Sequence, residues 1–435
     1  MATTTKRLRE AGRGPRWVPF ALALVTLLVF AATAPRQLGS DHTAFNHHAL
    51  VAEAWLAGRL DLGGDPPAYT QLNDFALYKD RWFVSFPPFP ALLLVPLVAI
   101  SGSAERTPDG LFFLLIAAAA PGLLYRALEA LREAGASARS WTENAIIAAL
   151  LPLATVFWFT SVQGTVWFAS HVVAVALAAG YVWASAGARR PVAAGSLLIL
   201  AFATRPPLAL AAPLFLSELW RVQKKGELDL RAAGRVLARF AAPIAAGLAL
   251  LLVLNAARFD DPLEFGHRHL QVVWRARMDK WGLFSAHYLG KNLGVALAST
   301  PFIGQGAGPL QITAHGLALW ITSPFLVLAA WPRAMPLKQR RAFAGLAVTA
   351  ALVALPNLLY HNTGWVQFGY RFSNDFIVFL LSMLAVGRRP LKTTFVVLAA
   401  WSIFVNAFGA LSFQRPGWEK YYRYDVRPNV YFEPD

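Results

Sequence analysis

The sequence predicts an all-α polytopic membrane protein forming a single integral domain over residues 1–435, and three observations carry that prediction. Of its 435 residues, 56% are hydrophobic and only 15% are charged, against about 25% charged in a soluble globular domain. The mean hydropathy is +0.44. Apolar runs such as Val18–Ala32, Leu111–Leu124 and Leu248–Leu254 recur along the whole chain, as repeated membrane segments require.

Taken in order, the runs predict eleven spans near 17–34, 109–128, 143–161, 167–186, 191–204, 207–220, 238–256, 307–331, 342–360, 371–387 and 392–412. The pair around Arg205-Pro206-Pro207 is short and reads as a broken or re-entrant element, since proline interrupts a helix. Lys6, Arg7, Arg9, Arg13 and Arg16 precede the first span without a small-residue cleavage site, which reads as an uncleaved signal anchor with residues 1–16 inside. The run Pro87–Ile100 has about fourteen residues, short of the roughly twenty that cross a bilayer. If it lies in the outer interface, the inner segments hold 23 of the 40 Lys and Arg but only about 7 of the 24 acids. Arg189-Arg190, Lys224-Lys225 and Arg340-Arg341 are then all inside. Positive charge is retained on the cytoplasmic side, so charge and length agree on an interfacial helix.

That parity leaves a large first outer loop at 34–109, a second at 257–306, a short third from His361 to Arg371, and an outer tail at 413–435. Loops this long in a compact chain are more often functional than connective. The formal charge of +16 is a topology signal distributed between spans rather than a basic face, which argues against a nucleic-acid partner. Cysteine is absent, which excludes disulfides, thiolate catalysis and zinc–thiolate sites. No Gly-rich phosphate loop of the dinucleotide-binding kind occurs.

The first loop carries Gly39-Ser40-Asp41-His42, an amphipathic stretch Phe45–Leu56, then Asn73-Asp74-Phe75-Ala76-Leu77-Tyr78, and Phe86-Pro87-Pro88-Phe89-Pro90 opening the interfacial helix. An early Asp in a polar loop, the Ala52-to-Gly58 segment of A-x-x-W-L-A-G form and a Pro-Pro-apolar interfacial helix together resemble the GT-C membrane glycosyltransferases. The closest likeness is to the protein-mannosyltransferase and aminoarabinose-transferase type. Arg258-Phe259-Asp260-Asp261-Pro262-Leu263-Glu264-Phe265-Gly266 and Gly364-Trp365-Val366-Gln367-Phe368-Gly369-Tyr370-Arg371-Phe372 resemble segments of bacterial members of that superfamily. The resemblance implies a polyprenyl-phosphate-linked sugar as donor, a glycan, lipid or protein acceptor, no dedicated cofactor, and a bacterial inner membrane with its active face outward. It also implies a first-loop Asp that activates or orients the acceptor. By position that residue is Asp41; His42 stands where the family's acidic pair has Glu, which makes Asp74 a rival.

Each candidate also has a structural reading. Asp41 is a favoured residue for capping a following helix, and Asp74 for an Asx turn. Arg205, between two apolar segments, either contacts a phosphate or snorkels to headgroups. Arg371 is a second phosphate candidate; Asp375, four residues on, either supports it or simply pairs with it. His42, Tyr78, Glu264, His267 and Tyr370 are candidate substrate contacts, with Arg268 and His269 beside them, or solvated loop polarity. His42, His47 and His48 raise a metal site, but adjacent histidines diverge on a helix and no HExxH occurs, so no metal is expected. Trp167 and Trp365, at outer ends, line either the lipid interface or a sugar groove. The competing class is a transporter or lipid flippase, which calls for charged residues in mid-span and more often for two matching halves.

Overall fold

The computed structural model describes residues 14–39, 41–222, 229–272, 274–304 and 308–424. Lys6, Arg7, Arg9, Arg13, Ser40, Lys224-Lys225 and the tail after 424 lie outside the described residues. Helix α1 (Val18–Thr33) begins with proline in its first turn and stops at Ala34, in extended conformation ahead of Pro35. The first loop folds as helix α2 (His47–Leu56), an antiparallel hairpin of β1 (Phe75–Tyr78) and β2 (Arg81–Val84), and helix α3 (Phe89–Ser101). Helix α3 has 13 residues, about 20 Å at 1.5 Å per residue, against a hydrocarbon core of about 30 Å. It stops at Gly102, whose φ of 83° is available to glycine without cost.

Helix α4 (Asp109–Glu133) packs on α1 and on α7 (Val166–Ser185), with α5 (Trp141–Leu153) and the single turn α6 (Phe157–Ser161) between them in sequence. Ser140 and Glu143 form a reciprocal capping box at the start of α5, satisfying two otherwise orphaned backbone donors. Helix α8 (Pro191–Phe202) returns along α7, and α9 (Ala212–Val222) follows after a 3-10 turn at Pro206–Ala211. The break at Arg205 is therefore real: two successive prolines supply no N–H and cannot continue α8. Helix α10 (Leu230–Phe259) is capped by Asp229, whose carboxylate accepts from the N–H groups of Arg231 and Ala232 at 3.0 Å. Of its 30 residues only Phe240 and Phe259 are buried, so nearly its whole apolar surface is left for lipid.

The second loop contains α11 (Arg275–Trp281), α12 (Leu289–Ala298) and strand β3 (Phe302–Ile303), and β4 (Leu310–Thr313) and the turn α13 (Leu319–Thr322) follow it. The span expected at 307–331 is thus replaced by a strand, a short helix and a 3-10 turn at Pro324–Ala329. The reason is local: Pro309, Gly316 (φ 75°) and Pro324 interrupt any helix, and the strand's backbone is paired with β3 and with β5 (Tyr422–Arg423). Helices α14 (Leu337–Leu359), α15 (Ile377–Val386) and α16 (Thr393–Ser412) complete the bundle, with a 3-10 turn at Arg371–Asp375 ahead of α15.

Among the described residues, α4, α7 with its 3-10 extension to Ala188, α10, α14 and α16 are long and apolar enough to cross a membrane, and α1, α3, α5, α8 and α15 are shorter apolar helices. The chain is a mostly helical, multi-pass membrane protein.

Candidate active site

The first-loop end of the bundle gathers the polar residues that the apolar helices cannot absorb elsewhere. Asp375, fully buried, ends the 3-10 turn at the head of α15. Arg205 reaches it from the end of α8 in a two-pronged pair, Nε to Oδ1 at 3.0 Å and Nη2 to Oδ2 at 2.7 Å. His171 on α7 places Nδ1 3.0 Å from Oδ1, and Asn357 near the end of α14 donates through Nδ2 to Oδ2 at 3.0 Å. One carboxylate therefore ties together four segments distant in sequence, and the bidentate geometry fixes the guanidinium plane. His171 Nε2 is buried with no partner.

Arg371 does not pair with Asp375. In a 3-10 turn, with about three residues per turn, positions i and i+4 point some 120° apart, and Asp375 is taken by Arg205. The Arg371 backbone N–H instead donates to Gln367 Oε1 at 2.9 Å and Nη1 donates to the Val366 carbonyl at 3.2 Å. Gln367 is itself held by the carbonyls of His315 and Thr363, at 2.8 and 2.9 Å. The guanidinium lies over Phe168 (5.1 Å) and Phe372 (5.8 Å), its Nε has no partner, and no carboxylate lies within ion-pair distance of it among the described residues. A buried cation on aromatic faces without a counter-ion is poised for an anion.

Asp74 supplies the opposite charge. It sits in the left-handed region at φ 62°, which Asp tolerates better than most residues, directly ahead of β1. Both of its chain neighbours are fixed by one imidazole: His47 Nε2 meets the Asn73 carbonyl at 2.8 Å, and the His47 ring stacks on Phe75 at 4.4 Å. Trp167, one turn before His171 on α7, donates its indole N–H to Asp74 Oδ2 at 2.7 Å. Burial pushes the Asp74 carboxyl above the usual carboxylate range, while the Trp167 hydrogen bond and the Arg371 charge pull the other way. The same Arg371, with Arg205 and Asp74, acts electrostatically on Tyr360 at the end of α14.

The structure thus brings Asp74, Arg205 and Arg371 to one region, with Tyr370 buried beside Arg371 and its hydroxyl unpartnered. The other candidates lie in other surroundings. Asp41 is exposed, His42 packs on Tyr69 at 4.5 Å, and the segment is clasped by Asp109, which accepts from Thr43 N–H at 2.8 Å and Thr43 Oγ1 at 2.9 Å. Tyr78 and Lys79 both reach Asp260 at the loop surface, at 3.0 and 2.7 Å. Glu264 accepts from the Gly266 N–H at 2.7 Å, and Arg268 lies 3.7 Å from it. His47 and His48 are committed to Asn73 and to Ser170 (3.1 Å), and no group of three His, Asp or Glu side chains among the described residues is arranged to hold a metal. His171 and Asn357 were not foreseen; the available signal was a lone histidine four residues after Trp167 inside an otherwise apolar helix.

No protein-family model and no curated protein matches the sequence. The structure does match solved ones. The apo oligosaccharyltransferase of Archaeoglobus fulgidus superposes with a TM-score of 0.51 at 12% identity, over 93% of this chain and 59% of that one. The chain shares its fold with that structure. Two further oligosaccharyltransferase structures from that organism align less closely. One is tethered to an acceptor peptide containing the NVT sequon (TM-score 0.48, 13% identity, 91% of this chain and 55% of that one), and AglB, in complex with an inhibitory peptide and a dolichol-phosphate, gives 0.44 at 11% identity over the same shares. The chain spans a little over half the length of these structures. On this shared fold, the clustered Asp74, Arg205 and Arg371 come from the first loop, from the segment after α8 and from the turn ahead of α15.

Proposed function

We propose that this protein is a glycosyltransferase that moves a sugar from a polyprenyl-phosphate donor to an acceptor at the extracytoplasmic membrane surface. The observation that carries the reading is the proximity of Arg371, a buried guanidinium with no carboxylate at ion-pair distance among the described residues, to Asp74, a carboxylate that feels Arg371's charge and accepts a hydrogen bond from a neutral indole. Transfer requires both kinds of group. The acceptor O–H bond breaks as its oxygen bonds to the anomeric carbon, and Asp74 takes the proton. The bond from that carbon to the phosphate oxygen breaks with its electron pair, and Arg371 stabilises the charge gathering on the departing phosphate. A carboxylate raised by burial is a stronger base than a solvated one. Arg205 is neutralised by Asp375 and acts by fixing the turn that presents Arg371. Asp41 stays the alternative base and contacts the acceptor at the exposed rim.

The test is glycan analysis of cells carrying Asp74→Asn, Asp41→Asn or both at normal expression. Asp74→Asn loses the product and Asp41→Asn retains most of it; wild-type product in the double variant removes the carboxylate mechanism.

A further inference from the structure

The second outer loop is bound to the third along a short antiparallel seam. The Ser285 N–H donates to the Leu359 carbonyl at 2.8 Å, the His361 N–H donates to the Leu283 carbonyl at 3.0 Å, and Phe284 pairs with Tyr360 between them. Asn292 on α12 locks the same edge, its Nδ2 donating to the carbonyls of Leu358 (3.1 Å) and Tyr360 (2.8 Å). Tyr288 closes the base of α11, its hydroxyl donating to the Gly282 carbonyl at 2.9 Å. The same Tyr288 hydroxyl lies 3.4 Å from the Arg277 carbonyl, and His361, which is buried, lies in the fields of Arg277 and His267. Nδ1 of His361 and Nδ1 of His267 are both buried and both lack a hydrogen-bond partner. Two orphaned imidazole nitrogens beside a guanidinium are costly to bury and form the donor set that an oxyanion satisfies.

The electrostatics agree. Burial lowers His267 to about 4 and His361 to about 3, and for His361 the fields of Arg277 and His267 add to the effect. The charge of Arg277 acts on Tyr360, as do those of Asp74, Arg205 and Arg371.

We propose that His267, Arg277 and His361 form a second phosphate-binding site, separate from Arg371, that holds a phosphate carried by a membrane-borne substrate. The inference rests on the transferase reading for its biological use. The phosphate comes from one of two sources: a second phosphate on the donor carrier, or an anionic group on the acceptor. In either case the chemistry at the anomeric carbon is that already given, and the second site breaks no bond.

The experiment uses the purified full chain in lipid nanodiscs, with farnesyl monophosphate, farnesyl diphosphate and inorganic phosphate as probes. If the phosphate is the donor's, the diphosphate binds about tenfold more tightly than the monophosphate, the scale of one charge-assisted contact. If it is the acceptor's, inorganic phosphate binds alongside saturating farnesyl monophosphate. Whichever gain is present is lost in Arg277→Gln and in His361→Gln, while monophosphate affinity stays within about twofold. Arg277→Lys, which keeps the charge, retains part of the gain and controls for folding. Absence of both gains in the wild type, or survival of the gain in both variants, overturns the second site. Arg371→Gln separates this inference from the parent reading. Weakened binding of both lipids supports Arg371 as the first phosphate site. Unchanged lipid binding with the Arg277-dependent gain intact removes that role and leaves the second site standing.

Discussion

Asp74 and Asp375 are both carboxylates beside arginines, yet their partners divide the work between them. Asp375 accepts two bonds from Arg205 and one from Asn357, with His171 Nδ1 at hydrogen-bond distance, so it has little capacity left for a substrate. Asp74 is bonded to one indole N–H and lies in Arg371's field. Because burial raises the Asp74 carboxyl, the acid limb of the pH–rate profile falls above the ordinary carboxylate value of about 3.9. Trp167→Phe keeps the bulk but deletes a hydrogen bond that favours the charged form, so it moves that limb to higher pH; a limb that stays in place removes Asp74 as the base. The stability sign is the reverse of an ion-paired acid: a raised folded value favours the protonated native state, a contribution held below the unfolded value and lost as pH climbs through the folded one. The sequence singles out Arg205 and Arg371 as charges at the ends of apolar runs and Asp74 as an acid in the polar first loop. His171 and Asn357 were not, because their meaning lies in contacts to Asp375 from 204 and 18 residues away.

At the scale of elements, the apolar runs located most helices, and the prolines after Arg205 located the break at the end of α8. The segment 307–331 misled because its apolar residues are those of a strand and short turns, and composition does not distinguish these from a span where prolines and a glycine already forbid a continuous helix. The hairpin β1–β2 was hidden for a similar reason, since four-residue strands give almost no periodicity. Within the first loop, His47 and His48 are buried and neutral, lowered to about 4 and about 3, chiefly by burial. Their folded values lie below the ordinary 6.5, so the stability they allow is present above that pH and is lost as pH falls toward about 4. Thermal unfolding in detergent is therefore expected at a lower temperature at pH 5 than at pH 7.5. His48→Gln, which retains a polar group near Ser170 without titrating, reduces the gap; an unchanged gap excludes His48 from the effect.

For the whole molecule, the proposed outer face rests on the expectation that the 13-residue α3 does not cross and on the basic segments that parity then places inside. The chain has no native cysteine, so single cysteines report topology without background. A membrane-impermeant maleimide is expected to label Asp80→Cys in intact spheroplasts and Lys392→Cys only after lysis; labelling of both on one side contradicts the arrangement. Helix α10, buried only at Phe240 and Phe259, leaves a broad apolar face to the bilayer in which the proposed lipid-linked donor would travel.

The most direct measurement of the central claim is sugar transfer by the purified protein in lipid nanodiscs, using a polyprenyl-phosphate hexose labelled in the sugar and membrane extract as the acceptor source. The wild-type chain is predicted to move label from the carrier into an acceptor, with Asp74→Asn and Arg371→Gln each slowing transfer by about 100-fold or more. Label that stays on the carrier with the wild type, or that moves equally well with both variants, contradicts a glycosyl-transfer centre at Asp74 and Arg371.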